Sequence, residues 1–285
     1  MEQFLDLLNV PKNSLIRFDI ACDINSFEAY RLIQIGGSKS VKKNPRVEIK
    51  YKNMDFNFHQ ITDEYGDKYS LFKNDNDKEM PECIVIIIDK KERTAYLNGM
   101  SSDSSCCINP NQLCTGSTLL KLAIKFVKFI KEKYKLRYFQ LKDNSYKICN
   151  GKQIHLALFY GLLNGDTWYG KHRFLPFNTK DENIDNNLMK RYKNNKKIIK
   201  NIKIKDIKNL KKYLIKSYQK IKPKIKLYDV LKMYEKHYDN LLSNFLRDYL
   251  FNFDQTCDMF YLFVEDLARD IGFYNFHSKT FVYYL

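Results

Sequence analysis

Six consecutive residues, Cys83-Ile84-Val85-Ile86-Ile87-Ile88, constrain the fold more than any other stretch of the chain. A continuous β-branched run of this length reads as a strand buried on both faces. The chain must therefore cover two sides of a sheet. Asp89-Lys90-Lys91-Glu92 turns this run into a second strand over residues 94–100. Upstream, Val47, Ile49 and Tyr51 alternate with Arg46, Glu48, Lys50 and Lys52, and Phe56 and Phe58 continue the alternation beyond a turn near Asn53. A period of two places one side-chain set on each face, so this is a hairpin. Residues 69–72 read as a short strand inside a polar stretch. Residues 15–21 alternate in the same way, with a short helix from Asn25 or Ser26 to Leu32 stopped by Gly36-Gly37.

A polar Ser/Asp/Asn loop separates the 94–100 strand from a helix that opens at Gly116. Leu119, Leu120, Ala123, Phe126, Val127 and Ile130 form its apolar stripe, with Lys121, Lys125, Lys128 and Glu132 toward water. Tyr138-Phe139-Gln140-Leu141 reads as a strand, and residues 154–163 as a buried helix stopped by Asn164-Gly165. An aromatic segment, 167–176, and a polar linker, 178–187, follow.

The net charge of +16 is concentrated. Residues 190–226 hold sixteen Lys and Arg against one acid, Asp206. Ile207, Leu210, Leu214, Tyr218 and Ile221 recur at helical spacing there, which predicts one amphipathic helix with a lysine face, ended by Pro223. After it, Leu227, Leu231, Tyr234, Tyr238, Leu241, Phe245 and Tyr249 predict a single long helix. Met259, Phe260, Phe263 and Leu267 predict another, closed by Gly272, and residues 280–285 read as a strand.

Several classes fall away. No stretch approaches 18 uninterrupted apolar residues, so no segment reads as a bilayer span. The first residues, Met1-Glu2-Gln3-Phe4-Leu5-Asp6, lack the basic-then-apolar order of an export signal. Seven cysteines at irregular spacings predict reduced thiols in a cytoplasmic setting, the host cytoplasm or a virion if the protein is viral. With no C-x-x-C pair, no metal site is expected. The abundance of Lys, Asn, Ile, Tyr and Phe is also what an AT-rich genome produces, so the position of the charge says more than its amount.

Lysine stripes attract phosphate backbones. Lys203, Lys208, Lys211, Lys212 and Lys216 are the expected nucleic-acid contacts, with Tyr192, Tyr213 and Tyr218 available to stack on bases. An acidic protein surface would be met equally well. A solvated face is the plain alternative.

A helix N-terminus presents unpaired amides and a positive dipole end, which suits phosphate. Thr115-Gly116-Ser117-Thr118 puts small residues and hydroxyls at such a start, although Thr115 or Ser117 could simply cap the helix. No Gly-Lys-Ser/Thr follows, so this is not a Walker loop.

The order strand 94–100, polar loop, Thr115-Gly116-Ser117-Thr118-Leu119-Leu120, strand 137–142, helix, and Tyr169-x-x-x-Arg173-Phe174-x-Pro176 resembles the core of the GNAT acetyltransferase superfamily. It looks most like divergent members reported in large DNA viruses. The resemblance covers roughly residues 83–178. In that family a strand runs into an Arg/Gln-x-x-Gly-x-Gly/Ala loop whose amides hold the pyrophosphate of acetyl-CoA, and a later helix carries Tyr-x-x-x-Gly-Phe. Here the resemblance implies acetyl-CoA held by Gln112, Thr115, Gly116, Ser117 and Thr118. It also implies Tyr169 as the acid for the departing thiolate, with Tyr160 as a second candidate. Asp103, just past the strand, is the candidate base. Cys114 stands where the loop's first glycine belongs, Asn111 at its Arg/Gln position, and Arg173 replaces the glycine before Phe174.

The reading is an α+β protein: a GNAT-like mixed sheet with flanking helices over residues 1–180, then a helical domain over 185–285 opened by the lysine helix. The expected activity is acyl-CoA-dependent N-acetyl transfer, or that of a degenerate descendant. The alternative is a non-catalytic protein binding nucleic acid through its basic helix.

Overall fold

The computed structural model describes residues 21–22, 45–52, 54–62, 66–72, 82–101, 106, 115–223, 225–251 and 253–285. The chain divides into two compact units, Phe18–Asn144 with Val282–Leu285, and Ser145–Phe281 with Met1–Arg17. The boundary expected at 180–185 falls inside the second of these. The strand and helix expected within 15–32 lie outside the described residues, apart from a two-residue strand, β1 (Ala21–Cys22).

In the first unit β2 (Arg46–Tyr51), β3 (Met54–Thr62), β4 (Asp67–Phe72), β5 (Glu82–Asp89) and β6 (Thr94–Met100) pair in sequence order, all antiparallel. Lys52 takes a left-handed φ of 50° at the expected hairpin turn. Gly66 precedes β4 where a Cβ would lie 2.3 Å from the Ile88 carbonyl oxygen, so only glycine fits. Asp89 Oδ1 accepts from the Glu92 amide at 2.9 Å and forms the β5–β6 turn.

Helix α1 (Gly116–Tyr134) carries the chain from β6 to β7 (Tyr138–Lys142), which pairs parallel with β6. A parallel pair requires such a crossover. The expected stripe is the buried one: Phe126 stacks on Phe58 at 3.9 Å and meets Tyr69 edge-on at 4.9 Å. Each of these fully buried rings contributes about 1.5–3 kcal/mol by leaving water. Lys135, left-handed at φ 52°, ends the helix by donating to Glu132 and Lys131 carbonyls.

The second unit opens with a hairpin, β8 (Ser145–Cys149) and β9 (Lys152–His155). It continues with the mostly apolar, buried α2 (Leu156–Asn164), a 3₁₀ turn at Gly170–His172, and a second hairpin, β10 (Leu175–Asn178) with β11 (Asn183–Ile184). Then come α3 (Asn186–Asn201), a 3₁₀ turn at Ile204–Asp206, α4 (Leu210–Ile221), α5 (Leu227–Lys236), α6 (Leu242–Tyr249) and α7 (Phe253–Asp270). The last strand, β12 (Thr280–Tyr284), spans the division between units. The protein is mixed α+β, and this unit carries two hairpins among its helices.

Two expected helices are each broken in two, and each break explains the other. The amides of Ile204 and Lys205 donate to the carbonyls of Asn240 and Tyr238, both at 3.0 Å, and Leu242 donates to Ile202 at 3.0 Å. Backbone groups that would have extended α3 and α5 pair with each other instead. The side chain of Asp206 accepts from the Lys203 amide at 3.1 Å and closes the turn. Periodicity sees neither bond.

The expectation of reduced thiols is also corrected. Cys83 is joined to Cys106 in the first unit and Cys149 to Cys257 in the second, across separations of 23 and 108 residues. Folding creates these juxtapositions, and spacing along the chain does not encode them.

Candidate functional sites

The first candidate is the start of α1. Thr115 is its N-cap: the side chain accepts from the Thr118 amide at 3.2 Å, and the two hydroxyls lie 2.8 Å apart. Gly116 and Thr118 are buried and Ser117 is half-buried. Thr115 and Thr118 are thus committed to the cap of a helix start, the kind of position whose first amides can face an anion.

The parallel β6–β7 pair runs from Thr94 opposite Tyr138 to Leu97 opposite Leu141. Beyond it the β5–β6 register steps from Ile86–Leu97 to Val85–Gly99, leaving Asn98 as a bulged residue. Bulges re-aim strands and recur beside active sites. In an open sheet, ligands sit outside the carboxyl ends of parallel strands, where the crossover helix starts. Asp103 and Gln112 lie outside the described residues, as does Cys114.

Tyr169 belongs to the other unit. It is 0% exposed and stands at the N-cap of the 3₁₀ turn, among Trp168 at 4.9 Å, Phe174 at 6.0 Å and Phe281 at 6.3 Å. The helix that the Tyr-x-x-x-Arg-Phe pattern implied is only this turn, with Arg173 left-handed at φ 70°. Tyr160 is buried on α2, and burial, followed by the negative Asp166 and partly offset by Arg247, pushes its hydroxyl up to about 12. Both phenols are enclosed.

Beside them lies a polar node that sequence reasoning missed. Asp166 accepts from the Tyr192 hydroxyl and is paired with Lys196 Nζ at 2.8 Å. Burial, then the bond to Asp166, raises the Tyr192 phenol far above its usual range. A Cβ on Gly170 would lie 2.2 Å from both the Asp166 carboxylate and the Tyr192 hydroxyl, so a side chain here would push the node apart. The node ties the 166–172 turn to α3. Asn164-Gly165-Asp166-Thr167 was the turn signal that could have flagged it.

The first unit has a counterpart at Asp67, which is buried and accepts from the Tyr134 hydroxyl, with Lys90 Nζ at 3.1 Å. The Tyr69 hydroxyl lies 2.5 Å from that of Tyr134 and accepts from Lys133 at 3.2 Å. Burial works against charge on Asp67, but bonds from Thr62 and Tyr134 and the Lys90 ion pair outweigh it and hold the carboxyl below its usual value.

The second candidate is the lysine segment. Lys203, Lys208, Lys211, Lys212 and Lys216 are all exposed. Lys211 reaches Glu235 at 3.7 Å and the charge of Lys203 bears on Asp239, while Lys208, Lys212 and Lys216 have no acidic partner among the described residues. The helix break divides the expected single face. On α3, Tyr192, Asn195 and Ile199 point inward, leaving Lys190, Lys193, Lys197 and Lys200 in water. On α4, Leu210, Leu214 and Ser217 point inward, leaving Lys212, Lys216 and Lys220.

The tyrosines expected to stack on bases are occupied or only half-exposed. Tyr192 bonds Asp166, and Tyr218 is half-buried. Tyr213 donates to Asp270 at 2.7 Å, a bond that, with burial, pushes its hydroxyl up to about 12.

Among the described residues no three His, Cys, Asp or Glu side chains converge as a metal site would, and no helix is long and apolar enough to cross a membrane. Comparison with known proteins gave no match, whether to a family model, a curated protein or a solved structure.

Proposed function

We propose that this chain is a GNAT-like acyl-CoA-dependent N-acetyltransferase in build, with acetyl-CoA held at the first turn of α1. The observation that supports the reading is the β6–α1–β7 unit. It has a parallel strand pair, a bulge at Asn98 where the pairing ends, and a crossover helix whose small, Thr115-capped first turn offers amides to a pyrophosphate. In the reaction, an acceptor amine attacks the thioester carbonyl carbon, the C–S bond breaks, and the thiolate takes a proton. Tyr169 is the acid that the resemblance proposes from its motif position; it belongs to the second unit and is fully buried, so packing is the competing role. Tyr169→Phe separates the two. Turnover falls roughly ten- to a thousandfold if the hydroxyl is the acid and stays unchanged if it only packs. Gly116→Val tests the cofactor seat directly, because it abolishes acetyl-CoA binding while the melting transition is retained.

A second reading rests on a separate observation. Among the described residues the outward lysines of α3 and α4 have no ion-pair partner, which favours a polyanion such as nucleic acid over a solvated structural face. The three outward lysines of α4 give a log–log salt slope of about −3, at roughly −0.9 per duplex phosphate. Substitution by Gln flattens the slope and lowers affinity together. Absence of nucleic-acid binding at low salt removes this reading.

A further inference from the structure

Among the described residues Tyr228 is the most exposed of the large apolar side chains, at 69%, and it meets no ring and no hydrogen-bond partner. Its place explains what an exposed aromatic could do. Helices α4 and α5 form an antiparallel hairpin, fastened where Lys211 Nζ reaches Glu235 at 3.7 Å and lies 5.8 Å from the centre of the Tyr234 ring. With that end fixed, the hairpin brings Tyr228 level with the last turns of α4.

Helical phase then sets the faces. At about 100° per residue, Lys212, Lys216 and Gln219 lie opposite buried Leu210, Leu214 and Ser217. By the same count Tyr228 and Lys232 lie opposite buried Val230 and Tyr234. Antiparallel pairing turns both outward arcs to the same side. Two exposed acids lie on α5 by this surface: Glu235, which is met by Lys211, and Asp229, beside Tyr228 in the first turn. Lys212, Lys216 and Lys232 are exposed and have no ion pair among the described residues.

We infer that the outer face of the α4–α5 hairpin is a platform for single-stranded nucleic acid, on which the Tyr228 ring stacks against a base while Lys212, Lys216 and Lys232 neutralise the flanking phosphates. This rests on the polyanion reading above and narrows its substrate class. A base stacks on an aromatic only when it is unpaired and splayed, whereas lysines serve either kind of strand. The stacking residue is therefore one that the sequence places outside the 190–226 charge run; within that run Tyr192 and Tyr213 are bonded to Asp166 and Asp270, and Tyr218 is half-buried.

The test titrates the full chain with a fluorescent oligothymidylate and with a duplex of equal length, across a salt series. Tyr228→Leu, which keeps an apolar side chain at an exposed site, is expected to weaken single-strand affinity about tenfold, in keeping with what one stacked base contributes. Duplex affinity and both salt slopes stay as they were. Lys212→Gln with Lys216→Gln lowers both affinities and flattens both slopes. If Tyr228→Leu leaves single-strand affinity unchanged while wild type binds nucleic acid, the platform is refuted and the polyanion reading stands. If wild type binds neither strand form but binds anionic phosphatidylserine vesicles, both fall, and the face is a membrane-surface contact.

Discussion

Helices α1 and α4 are both amphipathic and rich in lysine, and each carries a proposed anion site, but the two proposed sites are built in opposite ways. Three of the five lysines of α1 are drawn into their own unit. Lys125 donates to the Lys50 carbonyl at 2.5 Å, Lys128 lies 5.0 Å from the Tyr283 ring centre, and Lys133 serves Tyr69 and Tyr134. What α1 leaves for a ligand is its first-turn backbone, fixed in direction. On α4 the opposite holds, because Tyr213 is bonded to Asp270 while Lys212 and Lys216 extend freely into water. A lysine-rich helix is therefore not in itself a binding surface. What matters is whether the ammonium groups already have partners. Oriented amides select a compact phosphate by geometry, whereas point charges on flexible stems attract any polyanion and yield to salt.

The largest effect that could break this contrast is in polyanion affinity. Replacing Lys212, Lys216 and Lys220 with Gln is expected to lower duplex binding on the order of a hundredfold at 0.1 M salt, by counterion release. Replacing Lys125 and Lys128 of α1, whose ammonium groups are already engaged, should change it little. Equal losses in a filter-binding series would show that the lysines of the two helices are equivalent.

Stability separates the two regions next. Phe126→Ala removes the ring that α1 presses against Phe58 and Tyr69, at a cost of about 3–5 kcal/mol. Chemical denaturation should show that loss with the polyanion slope retained.

Acid sharpens the comparison further. The carboxyl of Asp67 is depressed in the folded state, so its stabilisation is fully present above its unfolded value near 4 and is lost as pH falls through the folded one. Asp67→Asn should cost about 1–3 kcal/mol at neutral pH by leaving buried partners mismatched, and should remove that acid limb from a pH series of melting temperatures. The smallest effect belongs to Tyr213→Phe, which deletes the bond to Asp270 on an exposed flank, for about 1 kcal/mol or less.

Much of the first unit was legible in the chain because its signals are local. The 83–88 run, the alternation through Val47, Ile49 and Tyr51, and the Leu119–Ile130 spacing each report burial by period alone. The second unit hid its organisation in tertiary bonds. The amides that break α3 and α5 pair across some 36 residues. The β8–β9 hairpin did carry a local signal, Asn150-Gly151 with φ of 44° and 79°, which suits a two-residue turn. The apolar run that follows outweighed it. The lysine site was legible as charge but not as two faces, and Tyr228 was invisible as a site because exposure is a property of the fold.

The most direct test of the central claim is a calorimetric titration of the full chain with acetyl-CoA, run beside Gly116→Val. The account predicts saturable heat for wild type and a melting temperature that rises with ligand, since 100 times Kd stabilises by about 2.7 kcal/mol. It predicts neither for the variant. No heat from wild type at millimolar acetyl-CoA would contradict it.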